Sequence, residues 1–509
     1  MVRLMKTALV GIIRNEASDL LAWIGWHALL GVDTFVLFDD GSDDGTRALL
    51  KAASVQHDIR VFFINELHGT SWKPQQPVYW ERQRIVYMDA LHALKESVDW
   101  VGFLDTDEYL ALHRHDTLKN FLRSFGPDVG AVGIHWCLYG SSGHITRPDM
   151  PPFYAYTRHS TEDNPVNRHI KTFLRPQCWN GEWENAYAFP LKEGRYVDPD
   201  GRDLSWGAQV GMTEALPDWA TARIMHFRVR SLEHFVERAR RRRDSRLTLA
   251  DFNEDDCNDS QDSRHQGRTP LVLDWMRKTV FQGVGEALNN LPLPASRPEQ
   301  ISVARPQPPY NLAVSRLIPW NNDKLEIHGS RVCSQGLAKN NTGLFVLHTA
   351  SMPHQGFLFA LDLKDNILDF SILADSRLTG FLGYNLVPTE RADHVALQQI
   401  GGMSRRHAYL TTVPGEPLIA DRPVPHLWET FSLAPAYAAP DGRSWNELSF
   451  IRLLENTLRH PVTLGTIAHM AHKDRLATIR LLPLLYNVLS EDDQKYLAAQ
   501  LGPFAPFVL

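Results

Sequence analysis

The chain has 509 residues, 43% of them hydrophobic and 22% charged, an ordinary globular composition in a length that calls for two or three domains. A formal net charge of −6, with no domain-wide basic face, argues against nucleic acid as a partner. Cys137, Cys178, Cys257 and Cys333 lie far apart with no metal-ligand spacing, which suggests a reducing, cytoplasmic setting and no disulfide framework.

Arg3 and Lys6 precede the apolar run 8–13. That run is too short for a signal peptide, and Arg14-Asn15-Glu16 follows it in place of a small-residue cleavage site. No stretch reaches the roughly 18 apolar residues of a membrane span, although a peripheral membrane contact stays open. Residues 9–13 form a first buried strand. Ser18 or Asp19 stands where a helix cap belongs, and Leu20, Trp23, Ile24, His27 and Leu30 follow at helical spacing until Gly31 closes the helix. Residues 35–38 form a second buried strand, ending in Asp39-Asp40-Gly41-Ser42-Asp43-Asp44-Gly45-Thr46. The glycines there permit turns, and Asp or Ser can cap a helix over 46–53. A third strand over 59–64 and a long helix over 80–97 come next. Residues 100–104 are apolar without alternation, so this fourth strand is buried on both faces, and it stops abruptly at Asp105-Thr106-Asp107-Glu108.

Strands alternating with helices predict an α/β domain, Rossmann-like, with a mostly parallel sheet. Polar loops after the first, second and fourth strands then share one edge, where open sheets of this type bind ligands. Alternate residues of an extended segment face one way, so Asp105 and Asp107 can converge on a cation, and hard oxygen donors suit magnesium or manganese. The plainer alternative is a solvated turn with Glu108 starting a helix. No glycine-rich phosphate nest or P-loop lysine is present, so phosphates would be met by a metal.

In their order and spacing, Arg14-Asn15-Glu16, Asp39-Asp40-Gly41-Ser42 with Asp44-Gly45-Thr46, and Asp105-Thr106-Asp107-Glu108 resemble the nucleotide-sugar domain of family 2-like glycosyltransferases of GT-A fold. The nearer resemblance is to the family 2_4 group related to family 92. Leu20, Trp23 and His27 match its first helix, and Trp136-Cys-Leu-Tyr-Gly140-Ser141-Ser142-Gly-His144 matches a further motif. Lys171-Thr-Phe-Leu-Arg-Pro176, Asp198-Pro-Asp-Gly201, Met225-His226-Phe227 and Ser231-Leu-Glu-His-Phe235 carry the likeness on, so that it covers residues 6–245.

The resemblance implies a metal-dependent enzyme that moves a sugar from a nucleoside-diphosphate sugar to a hydroxyl of a glycan or glycoconjugate acceptor, with inversion. It implies that Asn15 and Glu16, beside Arg14, lie next to the base and ribose, and that Asp39 or Asp40 holds the uracil or ribose. Asp105 would lie near ribose and metal, Asp107 would ligate the Mn2+ or Mg2+ that bridges the diphosphate, and His226 would supply another metal contact. Trp136, Gly140, Ser141 and Ser142 would shape the donor-sugar and acceptor pocket. Against this, His226 can be an ordinary strand histidine and Trp136 plain core. The general base is to be found among Glu162, Asp163, Glu182, Glu184 and His144, with Glu182 or Glu184 preferred. The segment 179–187 departs from the family there, because a histidine-containing stretch is missing.

Residues 231–250 form a helix carrying Arg238, Arg240, Arg241, Arg242, Arg243 and Arg246. A phosphate or anionic-lipid contact is one reading, but a solvated face is expected, since Asp251, Glu254, Asp255, Asp256, Asp259 and Asp262 follow. The acidic stretch 251–268 is expected to be a flexible lid or linker, and 270–291 a helix. Catalytic domain 1–290, Pro-rich linker 291–310, a β-rich domain 311–440 and a helical module 441–509 complete the layout. The β-rich part, with strands at 324–328, 343–348, 357–363 and 367–372 and a turn at Asp365-Asn366, suggests a β-sandwich. Trp320, Tyr409 and Trp428 there suit either saccharide contact or packing. Helices are expected over 444–458, 462–471, 474–489 and 491–501. Two other classes stand beside the transferase. A sugar nucleotidyltransferase would want a basic glycine-rich loop where Arg14-Asn15-Glu16 stands, and intact Asp105, Asp107 and His226 argue against a non-catalytic carbohydrate-binding or scaffold protein.

Overall fold

A computed structural model describes residues 4–64, 79–241, 248–291, 311–328, 331–335, 343–349, 352–361, 366–370, 372, 374–403 and 407–509. Two compact units divide the chain, Met1–Met276 and Arg277–Leu509. Of the linker expected over 291–310, residues 292–310 lie outside the described residues, as do the turn residue Asp365 and Arg242, Arg243 and Arg246.

The first unit is built on a mixed nine-stranded sheet. Strands β1 (Thr7–Ile13), β2 (Thr34–Asp39), β3 (Asp58–Phe63) and β4 (Trp100–Phe103) form its parallel half in the order β3-β2-β1-β4. β1, β2 and β4 are buried along their whole length, which is why each is an unbroken apolar run. The helix Tyr79–Leu94 lays Val86, Tyr87, Ala90, Leu91 and Leu94 against Val10, Ile12, Val101 and Phe103 in one core.

Five of the eight strand pairings in this sheet are parallel, as expected, and the three antiparallel ones fall in its second half. β8 (Ile170–Leu174) runs antiparallel to both β4 and β6 (Val129–Leu138). β10 (Ala222–His226) lies parallel to β6, and β5 (Glu108–Leu112) pairs antiparallel with β10. β9 (Arg195–Val197) also pairs with β6, in parallel. Parallel neighbours need long crossovers, usually helical. After β4 the chain mostly returns through loops, with one six-residue helix, Leu118–Arg123, before β6. Glu108 therefore opens a strand and not the helix considered above. The helix Leu20–Leu29 packs on that strand, Trp23 Nε1 donating to the Glu108 carbonyl at 2.8 Å and Trp26 Nε1 to that of Leu110 at 2.9 Å. Asp19 stands at its N-cap without capping it, because its carboxylate is drawn to Arg147 and Arg230.

Residues 248–268 are folded, so the lid or linker expectation fails. Thr248 and Asp251 form a capping box for the helix Leu249–Asp255, β11 (Ser260–Gln261) pairs with β7 (Arg158–His159), and Asp262 is buried against Arg223. Asp255, Asp256 and Asp262 meet partners far away in sequence, Arg228, Ser141 and Arg223, while Glu254 and Asp259 are exposed.

In the second unit, β12 (Leu312–Pro319), β15 (Leu344–Thr349), β16 (Gln355–Ala360), β17 (Phe381–Pro388), β18 (His394–Gln399) and β21 (Thr430–Pro435) pair antiparallel in a ring that closes through β17–β18 and β21–β12. The expected β-sandwich is thus a closed barrel, an arrangement that leaves none of these strands with an unpaired edge. β19 (Tyr409–Thr411) and β20 (Ile419–Arg422) extend from β18, while β13 (Lys324–His328) and β14 (Arg331–Gln335) make a separate hairpin. The strand expected over 367–372 reduces to one bridge, Leu361 with Ile367. Helices Ser449–Thr457, Leu464–Lys473, Arg475–Asn487 and Glu491–Leu501 belong to the same unit, Phe450 meeting Phe359 at 5.4 Å and Arg480 pairing with Asp369 at 3.0 Å.

Candidate active site at the acidic strand ends

The parallel strands β1, β2 and β4 end side by side, and their loops are tied together. Asn15, at φ +56°, donates its N–H to Ser42 Oγ at 3.0 Å and accepts from Asp43 N at 2.8 Å. Glu16 N donates to Thr46 Oγ1 at 3.0 Å. Asp39 is buried, with Ser42 N on one oxygen and Arg47 on the other. Asp40 faces Arg82 at 3.0 Å and Arg14 at 4.0 Å; burial raises its carboxyl pKa despite both arginines. The five residues Arg14, Asn15, Glu16, Asp39 and Asp40, assigned to base and ribose contact, therefore stand at two interlocked loops, with Asp105 at the end of the adjoining β4.

Asp105 and Glu108 close a turn around a buried ammonium. Glu108 N donates to the Asp105 carbonyl at 3.0 Å, and Asp105 N donates to Glu108 Oε2 at 2.9 Å. Lys171 on β8 places Nζ 2.9 Å from Asp105 Oδ2 and 3.0 Å from Glu108 Oε2. Burial works against the Lys171 charge, but the two carboxylates outweigh it and hold its pKa well above the usual range. Burial also pushes Glu108 up to about 7, against the pull of Lys171.

Asp107 points the other way. Antiparallel pairing puts His226 opposite Glu108, which brings its Nε2 within 3.8 Å of Asp107 Oδ2. Arg238 lies 3.7 Å from the same oxygen. Burial alone would raise the Asp107 carboxyl, yet His226, Arg230 and Arg238 hold it well below the usual range. Arg230, buried and at φ +54°, shares Asp19 with Arg147 and so pins the chain after β10 to the end of the first loop. Trp136 is 6% exposed and forms the wall behind His226: their ring centroids are 4.4 Å apart, with His169 at 5.0 Å and Tyr187 at 5.5 Å on its other sides.

A divalent cation fits part of this set. An ion about 2.1 Å from each donor has room between Asp107 and His226, and would take further ligands from phosphate oxygens and water. Asp105 is turned to Lys171 instead. Among the described residues no three His, Cys, Asp or Glu side chains form a ready cage.

Gly140, Ser141 and Ser142 are engaged elsewhere. Ser141 N donates to Asp256 Oδ1 at 2.5 Å and Ser142 N to Asn258 Oδ1 at 2.8 Å. A Cβ at Gly140 would sit 2.3 Å from the Cys257 carbonyl, so glycine lets these two segments touch. His144 packs edge-on to Tyr156, with Nε2 3.2 Å from the Ala155 carbonyl. Glu182 and Glu184 are exposed on a segment whose Trp183 packs on Tyr87 and Phe189 and whose Tyr187 adjoins Trp136. Asp163 is exposed and accepts from Thr161. Glu162 lines a cavity of about 620 Å³ with His159, Trp219, Arg223, Asp262 and Arg264. Arg223 and His226 are three apart on one strand, so that cavity opens on the other face of the sheet.

Arg230 was not picked out from the sequence. Lys171, Asp19 and Arg238 stand out there only as part of a motif, as a helix cap and as one of a run of arginines, with no role at this site; nothing local marks Arg238 among its arginine neighbours.

Residues 12–181 match the family model described as glycosyltransferase family 92. A glycosyltransferase family 92 protein of Oryza sativa subsp. japonica is 28% identical over 191 residues, covering 36% of this chain and 30% of its own length. One of Arabidopsis thaliana is 30% identical over 191 residues, covering 35% and 30%. The chain thus spans about a third of the length of the curated relatives it matches. A crystal structure of S. aureus TarS 1-349 is similar at 15% identity, with a TM-score of 0.23, over 36% of this chain and 52% of that one.

Proposed function

We propose that this chain is a glycosyltransferase that moves a sugar from a nucleoside-diphosphate donor, a UDP-sugar in the first instance, to a hydroxyl of a glycan or glycoconjugate, with inversion and with Mn2+ or Mg2+. The family match over residues 12–181 supports the transferase class. The observation that carries the donor reading is the approach of His226 to Asp107, 3.8 Å across two neighbouring strands at the sheet edge where the acidic loops meet.

In this reading Asp107 and His226 hold the cation, whose chemistry when bound is to neutralise charge on the departing nucleoside diphosphate. Asn15, Glu16, Asp39 and Asp40, with Arg14, frame the base and ribose. Lys171 keeps the Asp105 carboxylate fixed beside them, so that the site needs little rearrangement as charge develops. Trp136, packed behind His226, supports the donor-sugar pocket from beneath. Glu182 or Glu184, with Asp163 as the further candidate, takes the acceptor proton; these acids reach solvent, as a base meeting an incoming acceptor must. A cytoplasmic setting is part of the proposal, on the dispersed thiols. Among the described residues no helix is long and apolar enough to cross a membrane.

A thermal-shift screen of UDP-, GDP- and dTDP-sugars with and without Mn2+ tests this. At least one donor should raise the melting temperature in a metal-dependent way. No shift with any of the three would refute it.

A further inference from the structure

We propose that Arg238 is a diphosphate-binding residue, held against Asp107 until a donor arrives and then turned to the donor's phosphate oxygens. This deepens the donor reading above and rests on it.

The sequence suggests a solvated arginine face on this helix, but Arg238 does not follow it. On the helix Leu232–Arg241 its side chain is only 17% exposed, and its guanidinium lies 3.7 Å from Asp107 Oδ2 while also donating to the Arg228 carbonyl. The helix is firmly seated, with His234 and Phe235 buried and Ser231 Oγ accepting from His234 N. Arg238 is therefore presented to the site from a fixed platform. The nearby Arg230 already has a buried carboxylate partner in Asp19, which Arg147 shares.

Asp107 cannot serve two cations equally. The oxygen that meets Arg238 is also the one that faces His226, where a divalent ion has room. With an ion held by Asp107 and His226, the guanidinium would face a carboxylate already engaged and could turn to phosphate oxygens beside it. A planar guanidinium binds phosphate through paired N–H groups and remains charged at any working pH. The cationic groups that face Asp107 would then meet the diphosphate, whereas a bare nucleoside carries no charge for them.

The test compares nucleoside and diphosphate on the full chain by isothermal titration with Mn2+: UDP, GDP and dTDP against uridine, guanosine and thymidine, in wild type, Arg238→Gln and Arg238→Lys. For the diphosphate the wild type prefers, Arg238→Gln should weaken binding by about tenfold or more, leave the matching nucleoside unchanged, and be partly rescued in Arg238→Lys. Diphosphate affinity unchanged in Arg238→Gln overturns the proposal. So does equal weakening of diphosphate and nucleoside, which marks a structural role. Wild-type protein that binds none of the three diphosphates overturns the donor reading and this contact with it.

Discussion

Lys171 Nζ lies 3.0 Å from Glu108 Oε2 with both side chains out of solvent, and the same ammonium holds Asp105 at 2.9 Å. The acidic turn at the end of β4 is shaped around this cation. Removing one partner of a buried pair leaves the other uncompensated, so Lys171→Met should lower unfolding free energy by about 3–5 kcal/mol. The double variant Lys171→Met/Glu108→Gln, which also removes the stranded charge, should recover much of that in urea unfolding. Recovery of nothing would mean the pair is not what the turn depends on.

His27 is fully buried between two backbone groups: Leu110 N donates to Nε2 at 3.2 Å and Nδ1 lies 2.9 Å from the Trp23 carbonyl. One nitrogen must accept, so the ring is neutral. Burial depresses its pKa to about 3, against the Trp23 carbonyl, from an ordinary 6.5. Between those values the unfolded chain binds more protons, so the contribution is fully present above pH 6.5 and declines as pH falls toward 3. The slope from this one group approaches about 1.4 kcal/mol per pH unit. Melting temperatures of wild type and His27→Gln from pH 7 to pH 4 should converge as the pH drops. Parallel curves would contradict a buried neutral histidine.

Gly140 touches the segment 256–258 so closely that Gly140→Ala must push the Cys257 carbonyl away from 2.3 Å. We expect a stability loss of about 1–3 kcal/mol. Amide exchange at Ser141 and Ser142, which donate to Asp256 and Asn258, should speed up with it. Unchanged exchange would show that the two segments are not coupled.

Much of the first unit was legible because its signals are local. The unbroken apolar runs of β1, β2 and β4 and the helix Thr46–Ala53 follow from patterns within about ten residues. What failed depends on partners far apart in the chain. Glu108 opens a strand because β10 pairs with it, and the acids of 251–268 are ordered because Asp262 meets Arg223 and Asp256 meets Ser141. The barrel closes through β17 and β18, a pairing no local period reveals. At the candidate site the acids and His226 were visible as motifs. Lys171 and Arg238 were visible in a motif and in an arginine-rich helix, but their place at the site was not, since only the fold carries them to Asp105 and Asp107.

The central claim is that Asp107 and His226 gather a divalent cation for a nucleoside diphosphate, and titration of UDP with Mn2+ or with EDTA, in wild type and Asp107→Asn, addresses it most directly. Wild-type binding should be about tenfold or more tighter with Mn2+, and Asp107→Asn should lose that difference while keeping its metal-free affinity. An equal Mn2+ dependence in both proteins would contradict the account.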